Sequence, residues 1–253
     1  MLRRFYLASA ALLGLSCLSG CMGYGNQVPA DKAFAMSASA LAGSESYGFA
    51  GEVAIYDPSG TVANQSRYQG EVTGHGNLNL KWSGGQVLRA KAAEEGPSTF
   101  HPMELLKAIQ SGGAKAEYDT QQAANGAGDV RLRLTLVPET ARNQIANSLK
   151  EELDRLRTDL KGRKLTAEQK KRAEDLLTHA DSRLDAALAT LKVQTVCLWT
   201  ADPKTWFPRQ MTEQTQLAYT WNGKPYSEKR VSVTDFLPAG RSVTMGKNAH
   251  RIP

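Results

Sequence analysis

The chain has 253 residues, of which 41% are apolar and 22% charged. That is enough for one domain of ordinary size plus a targeting segment, and it excludes gross disorder. No apolar run of about 18 residues follows the first twenty, which excludes a polytopic membrane protein. The formal charge of +6 includes Arg3 and Arg4; without residues 1–20 there remain 29 basic and 25 acidic groups, a mild +4.

Met1 to Arg4 is a short basic start, and Phe5 to Leu18 is an apolar run of signal-peptide length. It ends in Leu18-Ser19-Gly20-Cys21, small residues before a cysteine, which resembles the lipobox of bacterial lipoproteins. The resemblance implies cleavage after residue 20 and a diacylglyceryl group on the Cys21 thiol, so that the partner of the mature chain is a membrane. Two acyl chains hold a protein there where one is marginal. Met22 rather than an aspartate follows Cys21, which implies the outer membrane in a Gram-negative host and the outer face of the cell membrane otherwise. Cys17 leaves with the signal and Cys21 carries lipid, so Cys197 stands alone with no disulfide partner and reads as a buried, inert thiol.

Gly23 to Asp31 reads as a flexible tether, and Asp31 to Ala42 as a first helix with Asp31 as its N-cap. Tyr47, Phe49, Gly51, Val53 and Ile55 then alternate along a strand that ends in the turn Asp57-Pro-Ser-Gly60. Ser66–Thr73, Asn77–Ser83 and Gln86–Lys91 continue as an antiparallel meander. Phe100–Ile109 has helical spacing and closes at Gly112-Gly113, a short helix that would cover one sheet face. Strands resume at Lys115–Thr120 and Asp129–Val137, where Val130, Leu132, Leu134 and Leu136 alternate with Arg131, Arg133 and Thr135.

From about residue 139 to 192 the period is helical. Ile145, Leu149, Leu153, Leu156 and Leu160 form one stripe; Ala173, Leu177, Ala180, Leu184, Ala187, Leu188 and Leu191 form the answering one, opened by a capping box at Thr166–Gln169. The expectation is a long helical hairpin inserted into the sheet. Lys161, Arg163, Lys164, Lys170, Lys171 and Arg172 crowd its tip against Glu168 alone, with Lys170 to Arg172 unfavourably near a helix N-terminus. Such a tip serves either solubility or contact with anionic lipid or wall polymer. Strands close the chain at Val193–Thr200, Arg209–Glu213, Gln214–Trp221 and Ser227–Phe236, with a hairpin turn at Asn222-Gly223. Residues 238–253 read as a loose tail.

The segment Thr195 to Asp202, then Phe207-Pro-Arg-Gln-Met211 and Tyr219 to Gly223, together with Tyr47-Gly-Phe-Ala-Gly51, is similar to the sheet of LolA/LolB/LppX-like lipoprotein carriers. The likeness covers residues 32–237 apart from the long hairpin, which departs from that family's pattern. It implies an α+β fold: a curved antiparallel half-barrel with covering helices. It also implies a concave face that binds or transfers a lipid or acyl ligand, for which Tyr47, Phe49, Val53, Trp82, Leu132, Leu134, Trp199 and Tyr219 are the candidate lining; the same residues suit a closed core equally well. The other reading is an envelope interaction module whose hairpin docks on a protein partner, a sensor kinase or wall enzyme, with no small ligand. His75, His101, His179 and His250 lack metal-ligand spacing, and neither a Gly-x-Ser-x-Gly elbow nor a phosphate loop occurs. No catalytic activity, cofactor, metal or nucleic-acid partner is expected.

Overall fold

A computed structural model of the protein describes residues 28–74, 77–83, 109, 113–119 and 128–239. The elements run α1 (Ala30–Ala42), β1 (Tyr47–Tyr56), β2 (Val62–Thr73), β3 (Asn77–Ser83), β4 (Ala114–Tyr118), β5 (Val130–Leu136), α2 (Pro138–Gly162), α3 (Ala167–Thr190), β6 (Lys192–Ala201), β7 (Pro208–Trp221) and β8 (Lys224–Pro238). The eight strands form one open sheet in the order β3-β2-β1-β8-β7-β6-β5-β4, with antiparallel neighbours throughout. The fold is therefore α+β, a curved antiparallel sheet covered by helices on one face. Two meanders, β1–β3 and β4–β8, join where the first strand lies beside the last. β3 and β4, consecutive among the described elements, stand at opposite edges.

Strand alternation decides what the helices meet. Val193, Thr195, Cys197, Trp199 and Ala201 of β6 are buried while their neighbours are less so, and α1 lays Ala33, Phe34, Ser37, Ala38 and Leu41 on the same face. Phe34 meets Trp199 edge-on with ring centroids 5.4 Å apart, and Trp199 meets Phe236 at 5.7 Å. The indole N–H of Trp199 donates to Ser37 Oγ at 2.9 Å, so the one polar atom of that ring is satisfied inside the core.

One row of inward side chains crosses the whole sheet, one from each strand: Trp82, Tyr68, Gly51, Thr234, Met211, Trp199, Leu132 and Tyr118. Its single gap is Gly51, and Tyr68 fills it. The phenol leans from β2 across β1 and bonds Thr234 Oγ1 on β8 at 2.5 Å, with Ser232 Oγ at 3.3 Å. A Cβ on Gly51 would lie 2.4 Å from the Tyr68 hydroxyl and 2.3 Å from the carbonyl oxygen of Val233.

The helical hairpin matches its sequence pattern closely. Thr166 Oγ1 accepts from the Gln169 amide at 3.3 Å and Gln169 Oε1 accepts from the Thr166 amide at 3.0 Å, the expected capping box. The hairpin is spliced between β5 and β6, which are themselves paired from Val130↔Ala201 to Thr135↔Val196. Asn222 and Gly223 both take positive φ, 50° and 75°, as the tight β7–β8 turn requires.

Several boundaries differ from expectation. The cap of α1 is Pro29 rather than Asp31, because Pro29 holds φ −49° with extended ψ, and Asp31 falls in the first turn, where its charge still suits the helix dipole. Arg209–Glu213 and Gln214–Trp221 are one strand, β7, whose pairing with β6 and β8 runs unbroken through Thr212-Glu213-Gln214. β8 begins at Lys224 and reaches Pro238, two residues past Phe236. The expected strand Gln86–Lys91 and most of the expected helix Phe100–Ile109 lie outside the described residues; Ile109 itself is buried in the core.

Gly51→Ala should lower stability by about 1–3 kcal/mol, the cost of overpacking a closed site, because backbone as well as a ring must move. Gly162→Ala, with nothing within 4 Å of the added methyl, should be neutral or slightly stabilising. Urea midpoints of the two variants check the contrast.

Candidate functional site

Of the eight candidate lining residues, Phe49, Leu132, Leu134 and Trp199 have no accessible surface, and Tyr47 and Val53 are buried. A side chain with zero accessible surface touches no gap that could hold even a water molecule, so this stretch of the inner face is packed shut. Trp82 and Tyr219 flank it, half-buried. Trp82 meets Tyr68 at a tilt with ring centroids 5.2 Å apart, while Tyr219 pairs with Tyr226 at 5.2 Å near the β7–β8 turn. Burial pushes the Tyr47 and Tyr219 hydroxyls up to about 12.

Toward the base of the hairpin the inner face turns polar. Thr195, Thr215, Arg230, Ser232 and Thr234 are all buried, and Glu213 points among them from β7. Thr195 and Thr215 share a 3.0 Å hydrogen bond across strands, and the Thr215 hydroxyl donates to Glu213 Oε1 at 2.8 Å. Burial raises the Glu213 carboxyl above the ordinary carboxylate range; the Thr215 bond and the Arg230 charge oppose that without cancelling it. Cys197 sits beside Glu213 in the register, and its thiol is pushed well up, first by burial and then by that carboxylate. A thiol held protonated in this way is a poor nucleophile, in keeping with the inert thiol the sequence suggests.

The hairpin presents the opposite surface. Only Ala141, Ile145 and Leu153 of α2 and Ala187 and Leu188 of α3 are buried. The 25 residues of α2 span about 37 Å at about 1.5 Å per residue, and no residue of the hairpin is buried between Leu153 on α2 and Ala187 on α3. Arg157 ties the two helices together through Asp181 at 2.7 Å, as does Lys150 through Asp185 at 3.5 Å. Leu156 is 41% exposed and Leu176 70%. Beyond them Lys161, Arg163, Lys164, Lys170, Lys171 and Arg172 are all exposed. Arg172 reaches Glu168 at 2.6 Å, and among the described residues no ion pair is recorded for the other five.

Cys21, His75, His101 and His250 lie outside the described residues, and His179 is an exposed residue of α3. Among the described residues no three His, Cys, Asp or Glu side chains stand close enough to hold a metal ion, and no helix is long and apolar enough to cross a membrane. The inward-facing Glu213 and its polar surroundings went unnoticed in the sequence. Its only signal is the polar run Thr212 to Gln216 inside an alternating strand.

No protein-family model matches the chain, and no curated protein sequence resembles it closely enough to count as a relative. Among solved structures it is similar to lipovitellin, described for its lipid–protein interactions, at 9% identity and a TM-score of 0.29, over 76% of this chain and 25% of that one. It is also similar to the acyl-CoA thioesterase II TesB2 of Mycobacterium marinum, at 9% identity and a TM-score of 0.15, over 83% and 92% of the two chains. Likenesses this loose carry no inference about function.

The raised Glu213 carboxyl has a signed consequence. The folded chain holds that proton more tightly than the unfolded chain, whose group titrates near 4.5, so stability falls as pH rises through the window that opens there. Urea midpoints measured between about pH 4 and 8 should show this slope, and Glu213→Gln should flatten it.

Proposed function

We propose that this chain is a lipid-anchored, extracytoplasmic protein of the cell envelope that works by binding rather than catalysis, and that its working element is the projecting hairpin. The observation that carries the reading is the contrast between the two surfaces. The inner face is closed ring against ring, while the distal hairpin leaves Leu156 and Leu176 exposed under a cluster of six exposed cations. An exposed leucine alone is ordinary. Two of them on a tied and capped rod beneath a tip where Glu168, paired with Arg172, is set against six bases suit an anionic partner, each basic group near such a surface contributing about 1 kcal/mol. The anchor at Cys21 keeps this tip among envelope surfaces and protein partners throughout.

A second reading, an acyl ligand held against the sheet, draws support from α1. That helix covers the centre of the face largely with small residues, Ala33, Ser37 and Ala38, and has no side-chain cap at its N-terminus. Beyond packing it is tied to the sheet by the Ser37–Trp199 bond and by Tyr118 Oη donating to the Val28 carbonyl at 2.5 Å. A ligand that displaced α1 would find an apolar floor beneath it.

Native mass spectrometry of the chain from Met22 onward, purified without detergent, separates the two: bare protein is expected, and co-purified lipid would transfer the function to the sheet interior. Joint charge reversal of Lys170, Lys171 and Arg172 should abolish sedimentation with vesicles containing anionic phospholipid; unchanged sedimentation sinks the hairpin reading. In cells, Cys21→Ser should move the chain from the membrane to the soluble fraction.

A further inference from the structure

The outer face of the sheet, opposite the helices, carries a cavity of about 660 Å³, within the size range of small-ligand sites. Its floor is a row in register across four strands: Tyr56 on β1, Lys229 on β8, Gln216 on β7 and Gln194 on β6. The next row is Ser227, Ala218 and Lys192, and Ala218 leaves space between its larger neighbours. Side chains directly opposite on adjacent strands stand about 5 Å apart, so the floor is about 15 Å wide.

One wall is the β1–β2 turn, which is set in advance. Asp57 Oδ1 accepts from the amides of Ser59 and Thr61, each at 2.9 Å, and from Ser59 Oγ at 2.6 Å. These bonds hold the Asp57 carboxyl below its ordinary range and commit it to the turn. Gly60, at φ 81°, completes the reversal. Glu228, the other lining carboxylate, is drawn to Arg230 at 3.9 Å. With Glu228 offset by Arg230, Lys192 and Lys229 stand against the single Asp57 carboxylate and leave the site one net positive charge; Lys229 rests over the Tyr56 ring at 5.9 Å, a contact weak enough to exchange for a ligand's charge.

The ligand class follows from what these groups can and cannot do. β1, β8 and β7 are flanked by strands on both sides along the floor, and β6 is paired with β7 there, so an added peptide strand could reach only the short stretch Lys192–Thr195 that β5 leaves open. Recognition falls to side chains. Two amides that each donate and accept match vicinal hydroxyls, a half-buried ring flanks them, and two lysines match an anion. The cavity is far larger than a lone phosphate or carboxylate needs. We propose that this face binds a saccharide of about disaccharide size that carries a carboxylate or phosphate group, independently of any docking by the hairpin.

The test is an amide-shift NMR titration of the chain from Met22 onward, which retains every described element. The probes are cellobiouronic acid, a disaccharide bearing N-acetylmuramic acid and a disaccharide phosphate, against cellobiose, acetate and inorganic phosphate. At least one acidic disaccharide should saturate below about 10 mM, with shifts confined to the lining, and should bind about tenfold more tightly than its neutral counterpart. Gln194→Ala with Gln216→Ala should weaken it about tenfold while leaving the thermal midpoint unchanged, since both side chains are exposed; Lys229→Gln should erase the preference for the acidic sugar. The proposal is overturned if no acidic disaccharide saturates, if the shifts fall elsewhere, or if acetate or phosphate alone binds as well, which would reduce the site to a pair of surface cations.

Discussion

The seam between β1 and β8 holds the structure together. Ten residue pairs, from Tyr47↔Pro238 to Tyr56↔Lys229, join the first strand to the last, and without them the sheet would fall into a three-stranded and a five-stranded piece, each with a raw edge. Tyr68 reinforces the seam from β2 by reaching across β1 to the β8 hydroxyls, a route open only because position 51 has no side chain. The inner row, the seating of α1 on Trp199 and the outer-face cavity all require that register. Contacts so distant in sequence are reached only after much of the chain has ordered, so the seam is the slowest kind of contact for the chain to find.

The inner face combines two kinds of packing. Around Trp199, Phe34, Phe49 and Phe236 it is dry, and its stability comes from buried area and ring-on-ring geometry. Around Thr195, Thr215, Glu213 and Arg230 it is hydrogen-bonded, and a low local dielectric makes each bond strong while making an ionised carboxylate costly. The second zone lies toward the hairpin base, where β6 emerges from α3. A polar network there specifies register more sharply than an apolar patch would, because a slip of one residue would strand Glu213 and Arg230 away from their partners.

Much of this was legible in the sequence. β1 and its Asp57–Gly60 turn, the Asn222–Gly223 hairpin, the capping box at Thr166 and the burial of Cys197 each rest on local chemistry, and each stands where that chemistry puts it. The α+β class and the inserted hairpin were legible for the same reason, since period two gave way to a helical period and then returned. β7 read as two strands because Thr212 to Gln216 is polar at every position, whereas an inward-facing polar cluster breaks the alternation rule without breaking the strand. The β1–β8 seam, the Tyr68 reach and the row formed by Tyr56, Lys229, Gln216 and Gln194 depend on pairings between distant segments, for which no local pattern exists.

The splice point of the hairpin has a consequence for how the protein can be altered. Leu136 and Lys192 end one strand and begin its immediate neighbour, so the sheet already brings together the two ends of everything between them. The entropy of joining those ends is nearly indifferent to the length of the excursion. The proximal turns of both helices place Ala141, Ile145, Leu188 and Leu191 in the core and belong to the frame; beyond them a shorter hairpin, a longer coiled rod or a foreign domain with adjacent termini could take the position. The sheet is thus a chassis with an exchangeable arm, and changes in the arm's reach or charge are free to accumulate without renegotiating the core.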